Sequence, residues 1–250
     1  MENKRYFLEI AYKGSRYHGW QIQANALSVQ KEVNKALSMI LRKPIDTMGS
    51  GRTDTGVHAR QQYLHFDFPR RLEKDDVLKR LNSFFPKDIS AYELKEVVPN
   101  AHARFDAQWR SYEYHISLRK NPFEEELVWL FFGPLDSEKM NEAAGFLMDH
   151  RDFKCFSKVK TGVKNFECEI KKAHWEQKEQ HLIFHITANR FLRGMVRAMV
   201  GTLVEVGNGK LDLKGFKDVL ESKNRNKAGA SVPPQGLYLC HIVYPESIFI

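Results

Sequence analysis

Residues 5–12 are mostly aromatic and branched apolar side chains broken by Glu9, a short run that predicts a strand. A polar, irregular stretch over 14–27 follows, and then Val29, Val33, Leu37 and Ile40 recur at helical spacing, with Ser28 placed to cap that helix and Pro44 to end it. Tyr63, His65 and Asp67 alternate with Leu64, Phe66 and Phe68, the pattern of a half-buried strand. Asp75 or Asp76 caps a helix carrying Val77, Leu81 and Phe84, stopped before Pro86, and a strand over about 89–98 leads to Pro99-Asn100.

The second half repeats this alternation in longer units. Residues 109–118 are strand-like, Asn121-Pro122 turns the chain, and 127–132 is an apolar strand. Asp136 caps a helix reaching about Met148. Phe166, Cys168 and Ile170 alternate with charged neighbours, and Leu182, Phe184 and Ile186 do so after a polar turn over 176–180. A long helix starts near Phe191 and ends around 207–209, a shorter one follows Asp212, and 237–243 closes the chain as a strand. The expected fold is α+β: two α/β domains, 1–103 and 104–250, with mixed, largely antiparallel sheets. The polar, basic segment 222–229 reads as a flexible surface loop that orders on a partner.

A formal charge of +8 spread over 250 residues favours a polyanionic partner. Cys155, Cys168 and Cys240 are an odd, widely separated set without metal-ligand spacing, and read as small buried residues of a reducing compartment. No run is long enough to cross a bilayer, and Met1-Glu2-Asn3 leads straight into the first strand, so a cytoplasmic protein is expected.

Candidate chemistry concentrates in Gly49-Ser50-Gly51-Arg52-Thr53-Asp54-Thr55-Gly56-Val57-His58-Ala59. Glycines allow tight turns and close backbone approach, so this loop can offer the Asp54 carboxylate to a substrate with the Arg52 guanidinium beside it. A carboxylate near a guanidinium stays ionised, which suits a nucleophile or electrostatic stabiliser better than a general acid. The plainer alternative is a loop aspartate that caps a turn or pairs structurally with Arg52, and His58 fits a buried, hydrogen-bonded histidine better than a catalytic one. Tyr112 and Tyr114 share a strand face with Arg110: as core residues they fill space, and at a cleft a ring can stack on a base. Arg190, Arg193 and Arg197 recur at spacings of three and four along the long helix, opposite an apolar face, which suits a phosphate backbone or plain solvated charge. There is no P-loop, dinucleotide-binding glycine pattern, zinc-ligand cluster or nucleophilic-serine elbow, so no cofactor or metal is implied.

The Gly49–Ala59 segment resembles the G-x-G-R-T-D-x-G-V-H-A motif of the TruA-type tRNA pseudouridine synthases. Further segments in the same order carry the resemblance over nearly the whole chain: Tyr12-Lys13-Gly14 with Tyr17-His18-Gly19-Trp20-Gln21, His102-Ala103-Arg104-Phe105 with Arg110-Ser111-Tyr112-Glu113-Tyr114, Phe191-Leu192-Arg193-Gly194-Met195-Val196-Arg197 with Gly201, and Ala230 with Gly236-Leu237-Tyr238-Leu239. The resemblance implies the pseudouridine synthase fold, two domains whose sheets meet around a central catalytic cleft, and a homodimer that grips tRNA. It implies isomerisation of uridine to pseudouridine at positions 38, 39 and 40 of the anticodon stem-loop. Asp54 corresponds to the family's catalytic aspartate, Arg52 to the arginine that pairs with it and helps displace the nucleotide, Tyr112 to the active-site tyrosine under the base, and Leu237 to an apolar wall of the base pocket. The chain departs at Thr55, where alanine is common, at Ala101, where a phenylalanine is more usual, and over 160–166, which lacks an R-T-I run. Other classes are a non-catalytic tRNA-binding module or chaperone, which leaves Asp54 without a task, and a glycosidase or phosphohydrolase, which needs a second carboxylate or a metal cluster.

Overall fold

The computed structural model describes residues 3–159 and 162–250. Lys160 and Thr161, which open the segment departing from the family pattern, lie outside the described residues, as do Met1 and Glu2. The chain divides into two compact units, one made of residues 1–108 with 238–250 and the other of residues 109–237. The fold is mixed α+β, with five α-helices among the described residues and mostly antiparallel strands.

In the first unit β1 (Lys4–Tyr12) lies between β3 (His58–Phe68) and β4 (Ile89–Val97), antiparallel to both. The short β2 (Met48–Gly49) pairs with β3. The closing strand β9 (Leu237–Val243) joins the other edge of β3 in parallel, through His58 with Tyr238 and Ala59 with Leu239. Ser28 caps α1 (Val29–Leu41), its hydroxyl accepting from the Lys31 N–H, and Arg42 ends the helix in the left-handed conformation, two residues before Pro44. In α2 (Lys74–Phe84) Glu73 holds the N-cap position without a side-chain cap bond. Asp75 and Asp76 stand in the first turn instead, where a carboxylate favours the positive end of the helix dipole.

The strand read as half-buried is longer and buried on both faces: Gln62, Tyr63, Leu64, His65 and Phe66 are all buried. Its second face is covered by the end of the chain. Tyr244 packs edge-on to Phe7 and Tyr63 at 5.2 and 5.3 Å between ring centroids, and Phe249 packs edge-on to Phe7 at 6.2 Å. The Ile250 N–H bonds the Glu96 carbonyl at 3.1 Å, fastening that tail to β4.

In the second unit β8 (His181–Ala188) lies between β5 (Trp109–Ser117) and β7 (Ile170–Lys178), antiparallel to both. The strand expected over 127–132 shrinks to β6 (Trp129–Leu130), parallel to β5. The alternation at Phe166 and Cys168 precedes β7 rather than forming it, with only an isolated bridge between Asp152 and Glu167 there. The hairpin turns at Glu179, which takes φ 51°. Asp136 caps α3 (Ser137–Asp149) and Asp212 caps α5 (Leu213–Glu221), each accepting a backbone N–H three residues on. The long helix starts later than its apolar pattern suggested. In α4 (Met195–Gly207) Gly194 is the N-cap with φ 72°, which leaves residues 191–193 outside the helix. Nearly every side of α4 is buried, the signature of a central helix rather than a one-sided one.

All three cysteines are free; Cys155 and Cys168 are buried and Cys240 is half-buried. Among the described residues, no helix is long and apolar enough to cross a membrane.

One buried ionisable group ties this packing to pH. His65 accepts the Ala103 N–H through Nδ1 at 3.1 Å, and burial, with the nearby Arg5 guanidinium and His102, pushes its pKa from 6.5 down to about 4. The unfolded chain therefore takes up a proton on this histidine between pH 6.5 and about 4 that the folded chain refuses. Stability is full above that window and falls as pH drops through it, by about 2 kcal/mol after allowance for solvent screening. His65→Asn keeps an acceptor without an ionisable ring, so denaturation midpoints measured from pH 7 to pH 4 should fall less steeply in that variant than in the wild type.

Candidate active site

Asp54 opens a tight turn. The Val57 N–H donates to its carbonyl at 3.2 Å, and Gly56 takes φ 79°, which the third position of such a turn requires and side chains disfavour. Thr53 before it is buried, with its hydroxyl 2.8 Å from the Tyr12 hydroxyl at the end of β1. Against this loop lies the segment 13–21. The Trp20 N–H donates to the Thr53 carbonyl at 3.3 Å, and the Gly56 N–H donates to the Tyr17 carbonyl at 3.3 Å.

That contact exists because two positions carry no side chain. A Cβ on Gly14 would stand 2.0 Å from the Val57 carbonyl oxygen, and one on Gly19 would stand 2.3 Å from that of Thr53. Gly49 leaves comparable room for the buried Trp20 ring. Gly51 differs, since a Cβ there meets nothing within 4 Å. The gripping segment is itself held. The Val29 and Gln30 N–H groups, donors with no partner inside α1, bond the Gly19 and Trp20 carbonyls at 3.2 and 3.0 Å. The Tyr17 hydroxyl donates to the Asp88 carboxylate at 2.7 Å, and burial with that bond raises its pKa, keeping it a donor. On the other side of the loop, buried Gln62 accepts from Ser50 Oγ at 2.7 Å and donates to the Gly51 carbonyl at 2.9 Å.

The loop thus holds Asp54 half-buried on a fixed backbone, while Arg52 is exposed. His58 is 1% exposed, accepts the Gly14 N–H through Nδ1 at 2.9 Å and stacks on Tyr238 at 4.7 Å. It is a strut, as its setting suggested.

In the second unit Tyr114 is core, its hydroxyl donating to the Pro233 carbonyl at 2.8 Å. Tyr112 is half-buried and packs edge-on against Phe191 at 5.0 Å, beside the segment that carries Arg190 and Arg193. Arg110 donates to the Asn189 carbonyl at 3.0 Å. The three-arginine helical stripe does not form. Arg190 and Arg193 are exposed but precede α4, and only Arg197 is helical. Arg197 Nε donates to the Val232 carbonyl at 2.6 Å, so part of its hydrogen-bonding capacity serves the fold. Leu237 is buried, directly after the short 3-10 helix Pro234–Gly236. The segment 222–229 is built rather than loose: Arg225 bonds the Ala228 and Gly229 carbonyls at 3.1 and 3.0 Å, and Lys223 pairs with Asp152 at 2.9 Å.

Sequence reasoning had Thr53 in the candidate motif and Gly14, Gly19 and Trp20 in a segment that carries the resemblance, but gave none of them a contact at the site, and it passed over Gln62. Residue type and motif position do not say what a side chain touches.

A profile of the tRNA pseudouridine synthase family matches residues 143–245. Full-length relatives named tRNA pseudouridine synthase A include one from Parabacteroides distasonis, 47% identical with 98% of both chains covered. Another, from Bacteroides fragilis, is 48% identical with 100% of both covered. A third, from Treponema denticola, is 41% identical over 98% of this chain and 94% of its own.

The glycine contacts make a direct contrast. Gly19→Ala, with φ 84° and a carbonyl 2.3 Å from the new Cβ, should lower stability by roughly 2–4 kcal/mol. Gly51→Ala, with open space at the same loop, should leave the thermal unfolding midpoint unchanged.

Proposed function

The chain belongs to the tRNA pseudouridine synthase family, and from that premise we propose that it converts uridine to pseudouridine at positions 38, 39 and 40 of the tRNA anticodon stem-loop, with Asp54 as the essential carboxylate. The observation that carries the assignment to Asp54 is the investment of the first unit in its loop, where two side-chain-free approaches and a buried threonine fix the backbone of one half-buried carboxylate. A site that must hold a reacting group to within a fraction of an ångström needs such a scaffold.

The reaction is an isomerisation and balances without a cofactor. The target nucleotide leaves its stack for a few kcal/mol, offset by contacts to the protein. Asp54 promotes cleavage of the N1–C1′ bond, by attack on the base at C6 or on the sugar at C1′. The freed uracil turns while held, C5 bonds to C1′ and the bond to Asp54 breaks, the C5 proton passes to a base, and N1, which had carried the sugar, takes up a proton. Arg52, exposed and beside the loop, assists by holding a phosphate of the displaced nucleotide. Tyr112 and Leu237 take the roles the resemblance gives them, the ring under the base and an apolar wall of its pocket. Arg190 and Arg193 are exposed cations for the tRNA backbone, and Arg197 acts with them. The working form is a cytoplasmic homodimer, and the domain division at 103/104 belongs to the same reading.

The test follows tritium release from unmodified tRNA labelled at C5 of uridines 38 to 40. Asp54→Ala should lower release by at least about three orders of magnitude while leaving the Kd for tRNA close to that of the wild type. A folded variant that loses binding and turnover in parallel would remove Asp54 from the chemistry, and a wild type that binds tRNA without release would leave a binding module.

A further inference from the structure

A column of rings runs from the core of the first unit to its surface. Phe7 is fully buried on β1, and the His65 ring lies 6.1 Å from it at 24°. The His102 ring is 4.6 Å beyond His65 and edge-on to it at 66°, and Phe105 is 4.3 Å beyond His102 at 35°. Phe105 is 73% exposed. The Arg104 guanidinium lies 5.6 Å from the centre of that outermost ring.

The turn that carries the outer rings is rigidly made. His102 Nδ1 accepts the Arg104 and Phe105 N–H groups at 3.1 and 3.3 Å, and the His102 N–H donates to Asp106 Oδ2 at 2.7 Å. Below it, His65 takes the Ala103 N–H, and the Tyr244 hydroxyl donates to the Ala103 carbonyl at 2.6 Å. These bonds hold the Phe105 ring against His102 with most of its surface in water. Its chemistry suits a planar ligand: a face that continues the column, beside a cation that can meet a phosphate.

We propose that Phe105 and Arg104 form a stacking platform for an unpaired nucleotide of the RNA substrate, Phe105 taking the base and Arg104 its phosphate. The formal charge of +8 favours RNA over a neutral protein surface as the occupant. The platform is separate from the Asp54 loop: His65 and His58 are seven residues apart on β3, roughly 23 Å at the rise of a strand. It therefore engages a nucleotide other than the one that reacts, and contributes to holding the substrate rather than to the chemical step. The proposal rests on the tRNA substrate put forward above.

Phe105→Ala should weaken binding of an unmodified tRNA transcript about tenfold and leave the single-turnover rate at saturating tRNA unchanged, with Phe105→Trp restoring affinity. Arg104→Gln should reduce the slope of log Kd against log salt by about one. Wild-type affinity in Phe105→Ala overturns the platform. So does a change in sedimentation behaviour without a change in Kd, which gives the exposed ring to a second copy of the chain. Should the wild type form no pseudouridine while Phe105→Ala still loses tRNA affinity, the platform stands and the proposed reaction falls.

Discussion

The first unit depends on backbone meeting backbone at distances that a single methyl group forbids. Around Asp54 the carbonyls of Thr53 and Val57 occupy the space that side chains at Gly19 and Gly14 would fill. A turn held only by its own hydrogen bond would fluctuate, because a short exposed loop buries little apolar surface. Here the turn is pressed onto a segment that itself completes the open end of α1, so moving Asp54 requires breaking the bonds from Val29 and Gln30 as well. The helix N-terminus, the glycine segment and the carboxylate loop therefore behave as one mechanical element.

The second unit repeats the device on its central helix. A Cβ at Gly201 would stand 1.9 Å from the Ala230 carbonyl, and the Gly229 N–H bonds Thr202 Oγ1 at 2.9 Å. Arg197 and Val232 exchange bonds in both directions, Nε to carbonyl and N–H to carbonyl. The segment running into the closing strand is thus laid against α4 over more than one turn. Each unit thus brings an irregular segment into close contact by leaving side chains off at the points of nearest approach.

What could be read from the sequence follows from how local each constraint is. The caps at Ser28 and Asp136 and the helix after Asp212 are local and stand where expected, whereas the alternation at Phe166 and Cys168 forms no strand because no neighbouring strand pairs with it beyond one bridge. The second face of β3 was invisible because Tyr244 and Phe249, which cover it, lie more than a hundred and seventy residues away in the chain. The apolar spacing of Leu192 with Met195 and Val196 extends a helix pattern across Gly194, whose left-handed φ no periodicity reveals. The same local limit applies at the site. Asp54 and Arg52 stood out in a glycine-rich motif, but whether two charged residues in a turn face each other depends on where the turn begins. Gly14 and Gly19 were legible as glycines and not as contacts, since their partners lie some forty residues on.

A strand buried on both faces is a stiff member, and β3 lies next to the proposed catalytic loop at its start and to the proposed stacking ring further along. At its start the Asp54 turn leads directly into His58, which is buried and bonded to Gly14. Further along, His65 supports the turn that lifts Phe105 into solvent. Two contact points on one stiff strand have a fixed separation, and RNA is a ligand whose phosphates and bases repeat at fixed intervals. On the proposed roles, a rigid spacing between the Asp54 loop and Phe105 would select a substrate by its shape over several nucleotides, without reading the identity of the base in between. The proposed activity at neighbouring positions of one stem-loop calls for that kind of selection: strict about the folded RNA, and tolerant of which uridine is presented.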